Sequence, residues 1–214
     1  MEKNADNGWV YHSSTTPKGL AAIFLNNQAV TDRTLLQLND QTVRPVSFEH
    51  IQKTNRKDRS QYVDFDWTNN KATTQYKGIS KELDLPENTF DNFSLQLLLM
   101  ANVNNLPEQM QLPVISKGKF KQYQFYKVGE QVITTVYGES QTILVERRKD
   151  NEKKSTYKFW VDPNHYGLPL QFEKIENGKR EYIARITKSS FIPLPESGGV
   201  QAATNPQSSN DPLR

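Results

Sequence analysis

The chain has 214 residues, 27 of them basic and 24 acidic, for a net charge of +3, and it contains no cysteine. Charges this evenly matched leave no nucleic-acid footprint, and the missing thiols exclude disulfides, thiolate zinc sites and cysteine nucleophiles. A single domain of this length can bury roughly 70% of its unfolded surface without metals or cross-links.

Residues 1–8 read as a flexible N-terminus, without the basic stretch and following apolar run of a secretory signal, so the chain as written is expected to lack an export signal. Trp9, Tyr11 and Ser13 then alternate with Val10 and His12 in the two-residue rhythm of a strand. Thr16 and Pro17 supply a cap and a first-turn proline for a short helix through Leu20 to Phe24. Strand-like runs at Thr31 to Leu38, Val43 to Gln52 and Gln61 to Trp67, parted by Asn39-Asp40 and the polar stretch Thr54 to Ser60, predict a meander. In the third run Val63, Phe65 and Trp67 share one face and Tyr62, Asp64 and Asp66 the other. Ala72 to Lys77 and Lys81 to Leu85 add a further pair.

A longer helix is predicted from Phe90 to Asn104, capped by Thr89 or Asp91 and carrying Phe93, Leu95, Leu97, Leu98, Leu99, Met100 and Val103. Its apolar run falls short of the ~20 residues of a membrane span. Apolar side chains around most of a helix need cover on most sides, and strands are the cover available. After Pro107 and Pro113 come six more strand-like runs: Lys119 to Val128, Gln131 to Tyr137, Gln141 to Arg148, Ser155 to Val161, Leu168 to Ile175 and Arg180 to Lys188. Gly129-Glu130, Gly138-Glu139, Asp150-Asn151, Asp162-Pro163-Asn164 and Asn177-Gly178 mark the turns between them. For the last hairpin a three-residue loop, Glu176 to Gly178, is expected, because it pairs Phe172 with Tyr182 and keeps their faces aligned.

The fold expected from this order is α+β: one strongly curved antiparallel sheet, a half-barrel, wrapped over one main apolar helix with a short N-terminal helix alongside. A single domain should span 9–190. Residues 191–214, where Pro, Ser, Gly, Asn and Gln collect, read as a disordered tail.

Chemistry is harder to find. His12, His50 and His165 stand in separate segments with no second donor at ligand spacing, so no metal is expected. Asp64 and Asp66, about 7 Å apart on a strand face, could suit glycosidic chemistry. A solvated face paired with Arg56, Lys57 and Arg59, just across the preceding turn, fits them better. No serine lies in a Gly-x-Ser-x-Gly elbow. The chain is therefore expected to be neither an enzyme nor the holder of a cofactor. Phe93, Leu97, Met100, Phe125, Trp160 and Phe172 are the candidate lining of an apolar ligand cavity, though core filling is the default for strand aromatics such as Tyr123 and Phe159. Two basic clusters are candidates for a membrane or partner surface: Arg56, Lys57 and Arg59 with Lys53, and Arg147, Arg148 and Lys149 with Lys153 and Lys154. Ordinary solubilising loops are the alternative.

Several motifs carry a resemblance. They are Thr16 to Phe24, Asp64-Phe65-Asp66-Trp67, Asp91 to Leu97, Tyr137-Gly138 ahead of Thr142 and Val145-Glu146-Arg147, and Trp160-Val161-Asp162-Pro163 followed by Gly167-Leu168-Pro169. Together, over roughly Tyr11 to Lys188, they resemble the bacterial exported family called domain of unknown function 3108. The closing strands are also similar to those of periplasmic lipoprotein carriers of the outer-membrane localisation pathway, which implies a half-barrel with an acyl-chain cavity. Members of the unknown-function family begin with a signal peptide and one or two further strands, so here an unpaired first edge is expected. The resemblance implies a periplasmic protein. The function expected is non-catalytic binding of a lipid or lipoprotein acyl chain; the alternative is an envelope protein-interaction or scaffold module without a small ligand.

Overall fold

The computed structural model describes residues 2–3, 8–15, 30–39, 42–52, 58–149 and 152–189. Alternation dominates it. Along Gln61–Asp66 the side chains of Gln61, Val63 and Phe65 are buried while Tyr62, Asp64 and Asp66 face water, as a half-buried strand requires.

The strands form two seven-stranded sheets. In the first, β1 (Glu2–Lys3), β2 (Trp9–Thr15), β3 (Val30–Asn39), β4 (Thr42–Ile51), β5 (Gln61–Asp66), β6 (Lys71–Tyr76) and β7 (Ile79–Asp84) run in sequence order, each antiparallel to the next. The second contains β8 (Phe90–Asp91), β9 (Gln109–Ile115), β10 (Phe120–Thr135), β11 (Gly138–Lys149), β12 (Glu152–Asp162), β13 (Leu168–Glu176) and β14 (Lys179–Arg185). It is antiparallel apart from the two-residue β8, which runs parallel to β9. Between the sheets in sequence lies α1 (Ser94–Ala101), followed by a 3-10 turn at Val103–Asn105.

This architecture corrects the expected α+β half-barrel. The described residues are mostly β, in two open sheets with one short α-helix, and neither sheet closes into a barrel. The helix predicted at Pro17 to Phe24 and the tail 191–214 lie outside the described residues. The main helix is only 8 residues long, because its expected first turn is used otherwise. Phe90 and Asp91 pair with Val114 and Ile115 as strand. The buried Asp91 carboxylate then accepts the N–H groups of Phe93 and Ser94 at 2.7 and 2.8 Å, while the Ser94 hydroxyl accepts the Asp91 N–H at 3.1 Å. At the other end Asn102 donates its side-chain amide to the Leu98 carbonyl at 2.9 Å and turns the chain out of the helix.

The apolar excess that called for a wrapping sheet is shared among several elements. Leu95, Leu99, Val103 and Leu106 pack with Val114, Phe125, Val145 and Val161 of the second sheet, and Val43 of β4 adds to that cluster. Phe93 turns the other way, into a second cluster with Phe48, Val63 and Phe65 of the first sheet. Two sheets cover from two directions what one curved sheet was expected to enclose.

Three local expectations also change. The turn expected at Gly129-Glu130 is a β-bulge within β10, where the register against β11 shifts between Lys127 and Gly129 and Gly129 takes φ 143°. Gln109–Ile115 is a strand despite Pro113, which faces Gln122 of β10. The last hairpin closes with a two-residue turn: Glu176 pairs with Lys179, and Asn177 and Gly178 both have positive φ, 51° and 75°. Phe172 therefore pairs with Ala184, and the face mismatch is repaired by a bulge that sets Lys174 opposite Tyr182.

Candidate functional site

The register of the second sheet brings side chains from distant parts of the chain onto one face. Phe125 lies opposite Arg147, Arg147 opposite Tyr157, and Phe159 opposite Phe172. Since side chains alternate along a strand, Tyr123, Phe125, Val145, Arg147, Tyr157 and Phe159 share that face. Leu95 and Leu99 of α1 lie over it, and a cavity of about 350 Å³ remains between helix and sheet. Its apolar wall includes Leu99, Met100, Phe125, Phe159, Val161 and Phe172. At one side the wall becomes polar, through Asn92, Ser116, Lys117 and Lys121. Asn92 donates to the Ser116 hydroxyl at 3.1 Å and accepts from the Tyr123 hydroxyl at 3.2 Å, which holds this rim in place.

Arg147 stands on the same wall. Its guanidinium lies 4.3 Å from the Tyr123 ring centroid and 3.8 Å from that of Tyr157, so the cation sits between two aromatic faces. Its Nε is buried and has no hydrogen-bond partner.

A second, polar cavity of about 570 Å³ shares Asn92, Ser116 and Lys117 with the first and is lined also by Asp32, His50, Arg59 and Lys77. His50 Nδ1 lies 2.8 Å from Asp32 Oδ1, and that hydrogen bond holds the imidazole above its usual pKa against the opposing effect of burial.

Of the residues expected to line a ligand cavity, Met100, Phe125 and Phe172 line the apolar one. Phe93 stacks on Tyr11 with ring centroids 4.1 Å apart, inside the first sheet's cluster. Leu97 is half-buried on α1, outside the cavity lining. Trp160 faces the opposite side of β12, where its Nε1–H donates to Gln131 Oε1 at 2.8 Å. The basic clusters separate as well. Arg56 and Lys57 lie outside the described residues, as does the side chain of Lys149, and Arg59 lines the polar cavity. Arg147 points into the apolar cavity, whereas its neighbour Arg148 bonds Glu146 at 2.7 Å on the other face. Burial works to raise the Glu146 carboxyl, but Arg148 and Lys158 outweigh it and hold that carboxyl below its usual range.

Asp66 ends β5 and holds the turn that follows, its carboxylate accepting the N–H groups of Thr68 and Asn69 and the Asn69 amide. His165 bonds Asp162 at 2.8 Å. Among the described residues no group of three or more His, Asp or Glu could hold a metal ion, and no helix is long and apolar enough to cross a membrane. Sequence reasoning missed the inward placement of Arg147. The alternating Tyr157-x-Phe159-x-Val161 marks an inward strand face, but only the pairing register reveals that Arg147 joins it.

A solved structure described as a beta-barrel-like protein of domain of unknown function DUF1849 from Brucella abortus is similar at 11% identity with a TM-score of 0.48, over 74% of this chain and 82% of that one. At that distance the likeness says nothing about function. No curated protein matches the sequence. The profile of the family described as "Protein of unknown function (DUF3108)" matches residues 2–184, in agreement with the motifs between Tyr11 and Lys188, and the chain belongs to that family.

Proposed function

We propose that this protein is a non-catalytic binder of an apolar ligand, such as a lipid or lipoprotein acyl chain, and that it works in the cell envelope. The cavity between α1 and the second sheet carries the reading. At about 350 Å³ it falls within the roughly 300–1,000 Å³ of small-molecule pockets, and its wall joins apolar side chains to a few polar groups. Burying an apolar ligand there gains roughly 25 cal/mol per Å² withdrawn from water. Resemblance to an exported family supports the envelope location, which fractionation of the native host would test.

Titration with the neutral dye N-phenyl-1-naphthylamine tests the binding. Saturable fluorescence enhancement is expected from the intact chain, and Met100→Trp, which fills the cavity, should weaken it about tenfold with an unchanged circular dichroism spectrum. No saturable enhancement, together with no lipid co-extracted from the purified protein, would end the reading. A second reading, docking onto an envelope partner, draws on Val132 and Val136, which are 53% and 50% exposed at the β10–β11 hairpin. Val132→Lys should abolish cross-linking to such a partner without changing dye binding.

A further inference from the structure

Several cations of the second sheet have a counter-charge. Arg148 and Lys158 bond Glu146, Arg180 bonds Glu173, and Lys174 bonds Glu176 and Glu181. Arg147 differs. Among the described residues no carboxylate or hydrogen-bond acceptor meets it, and what surrounds it is the two tyrosine rings and the open side of the cavity. A partly buried guanidinium left without an acceptor has lost hydration and gained little in return, unless something else occupies the remaining space.

The two rings also orient it. A guanidinium donates in its own plane, so a cation flanked by two ring faces has its productive N–H directions toward the cavity, which suits bidentate recognition of an oxyanion. The local charge has the same sign: Lys117, Lys121 and Arg147 line the cavity, and none of its lining residues is acidic. Leu99, Phe125 and Phe172 provide an apolar wall in the same space.

We propose that the ligand of this cavity is an anionic amphiphile, its hydrocarbon tail against α1 and the aromatic strand face and its carboxylate or phosphate head on Arg147. This rests on the apolar-binding reading above and adds the chemical class of the ligand. An unpaired cation beside hydrocarbon disfavours a neutral lipid, which would leave the guanidinium unanswered, and favours one carrying its own negative charge.

Displacement of bound N-phenyl-1-naphthylamine by dodecanoate, dodecyl phosphate and dodecanol, which share one tail length, separates head from tail. At least one anion should compete about tenfold more strongly than dodecanol, as a charge-assisted bidentate contact implies. Arg147→Gln should collapse that ratio to about one. Arg147→Lys, which keeps the charge and loses the fork, should retain part of it, and this second variant keeps the test open if the glutamine form folds poorly. Stronger competition by dodecyl phosphate would identify a phospholipid-type head, and stronger competition by dodecanoate a fatty acid. If dodecanol competes as well as either anion, or if both Arg147 variants keep the full preference, the anionic class is wrong while apolar binding stands. If the dye does not bind at all, the underlying reading fails and this inference falls with it.

Discussion

His50 and Asp32 face each other across β3 and β4, and their 2.8 Å contact ties stability to pH in a definite direction. The hydrogen bond to Asp32 raises the imidazole above 6.5, with burial and Lys117 acting against it. A histidine that holds its proton more tightly when folded contributes fully below its unfolded pKa, and that contribution is lost as pH rises through the folded value. Urea midpoints should therefore fall as pH rises from 6.5 through that value. The change should be on the order of 0.5 kcal/mol, as for a partly exposed pair. His50→Gln should flatten the profile in that window, and a slope surviving the substitution would assign it to another group. The contact joins residues far apart in sequence. The chain alone showed His50 only as a histidine with no second ligand nearby, because which residue stands opposite depends on strand register.

Two glycines with similar backbones separate local strain from packing at the scale of elements. Gly167, at the turn entering β13, and Gly178, at the last hairpin, have φ of 66° and 75°. A Cβ at Gly178 would meet nothing within 4 Å, whereas one at Gly167 would lie 2.2 Å from the Met100 carbonyl oxygen, so this turn rests directly on α1. Gly178→Ala should cost about 1 kcal/mol from left-handed strain alone. Gly167→Ala adds a backbone clash and should cost about 3 kcal/mol or more, while deforming the cavity wall. Equal losses in urea denaturation would show that the turn is not held against the helix. The Asn-Gly turn itself was legible in the chain, since few pairs accept two positive φ values. The bulge that realigns β14 was not, because an extra residue inside a strand leaves no local mark when its side chain faces solvent.

The whole molecule joins its two sheets through a small set of contacts around α1. The Gln61 side chain of β5 donates to the Ile115 carbonyl at 3.4 Å and accepts the Lys117 N–H at 2.6 Å. The Thr34 hydroxyl of β3 lies 2.8 Å from Asp91 Oδ2, and Tyr11 stacks on Phe93. Asp91 is fully buried there, and burial raises its carboxyl above the usual value although Ser94, Thr34 and Phe93 all hydrogen-bond it. With Ile115 and Phe93 of the later chain buried among first-sheet side chains, the first sheet does not keep its core if the second unfolds, and Val43 of β4 packs in turn against the second sheet's cluster. One cooperative transition is expected. Trp67 reports on the first sheet and Trp160 on the second, so variants retaining only one tryptophan should share a urea midpoint with each other and with circular dichroism. Separate midpoints would mean two independent units.

Much of the antiparallel strand order, the family, and the apolar character of Met100, Phe125 and Phe172 could be read from residue order alone, because alternation, turn chemistry and composition act over a few neighbouring residues. Tertiary structure decided that Phe90 to Leu106 divides between two sheets, that Trp160 faces away from the cavity, and that Arg147 turns inward between Tyr123 and Tyr157. Each of these depends on register and on which surface lies opposite. A shift of one residue sends a strand side chain to the other face, and the pairing that sets the shift joins segments whose separation in sequence carries no trace of it.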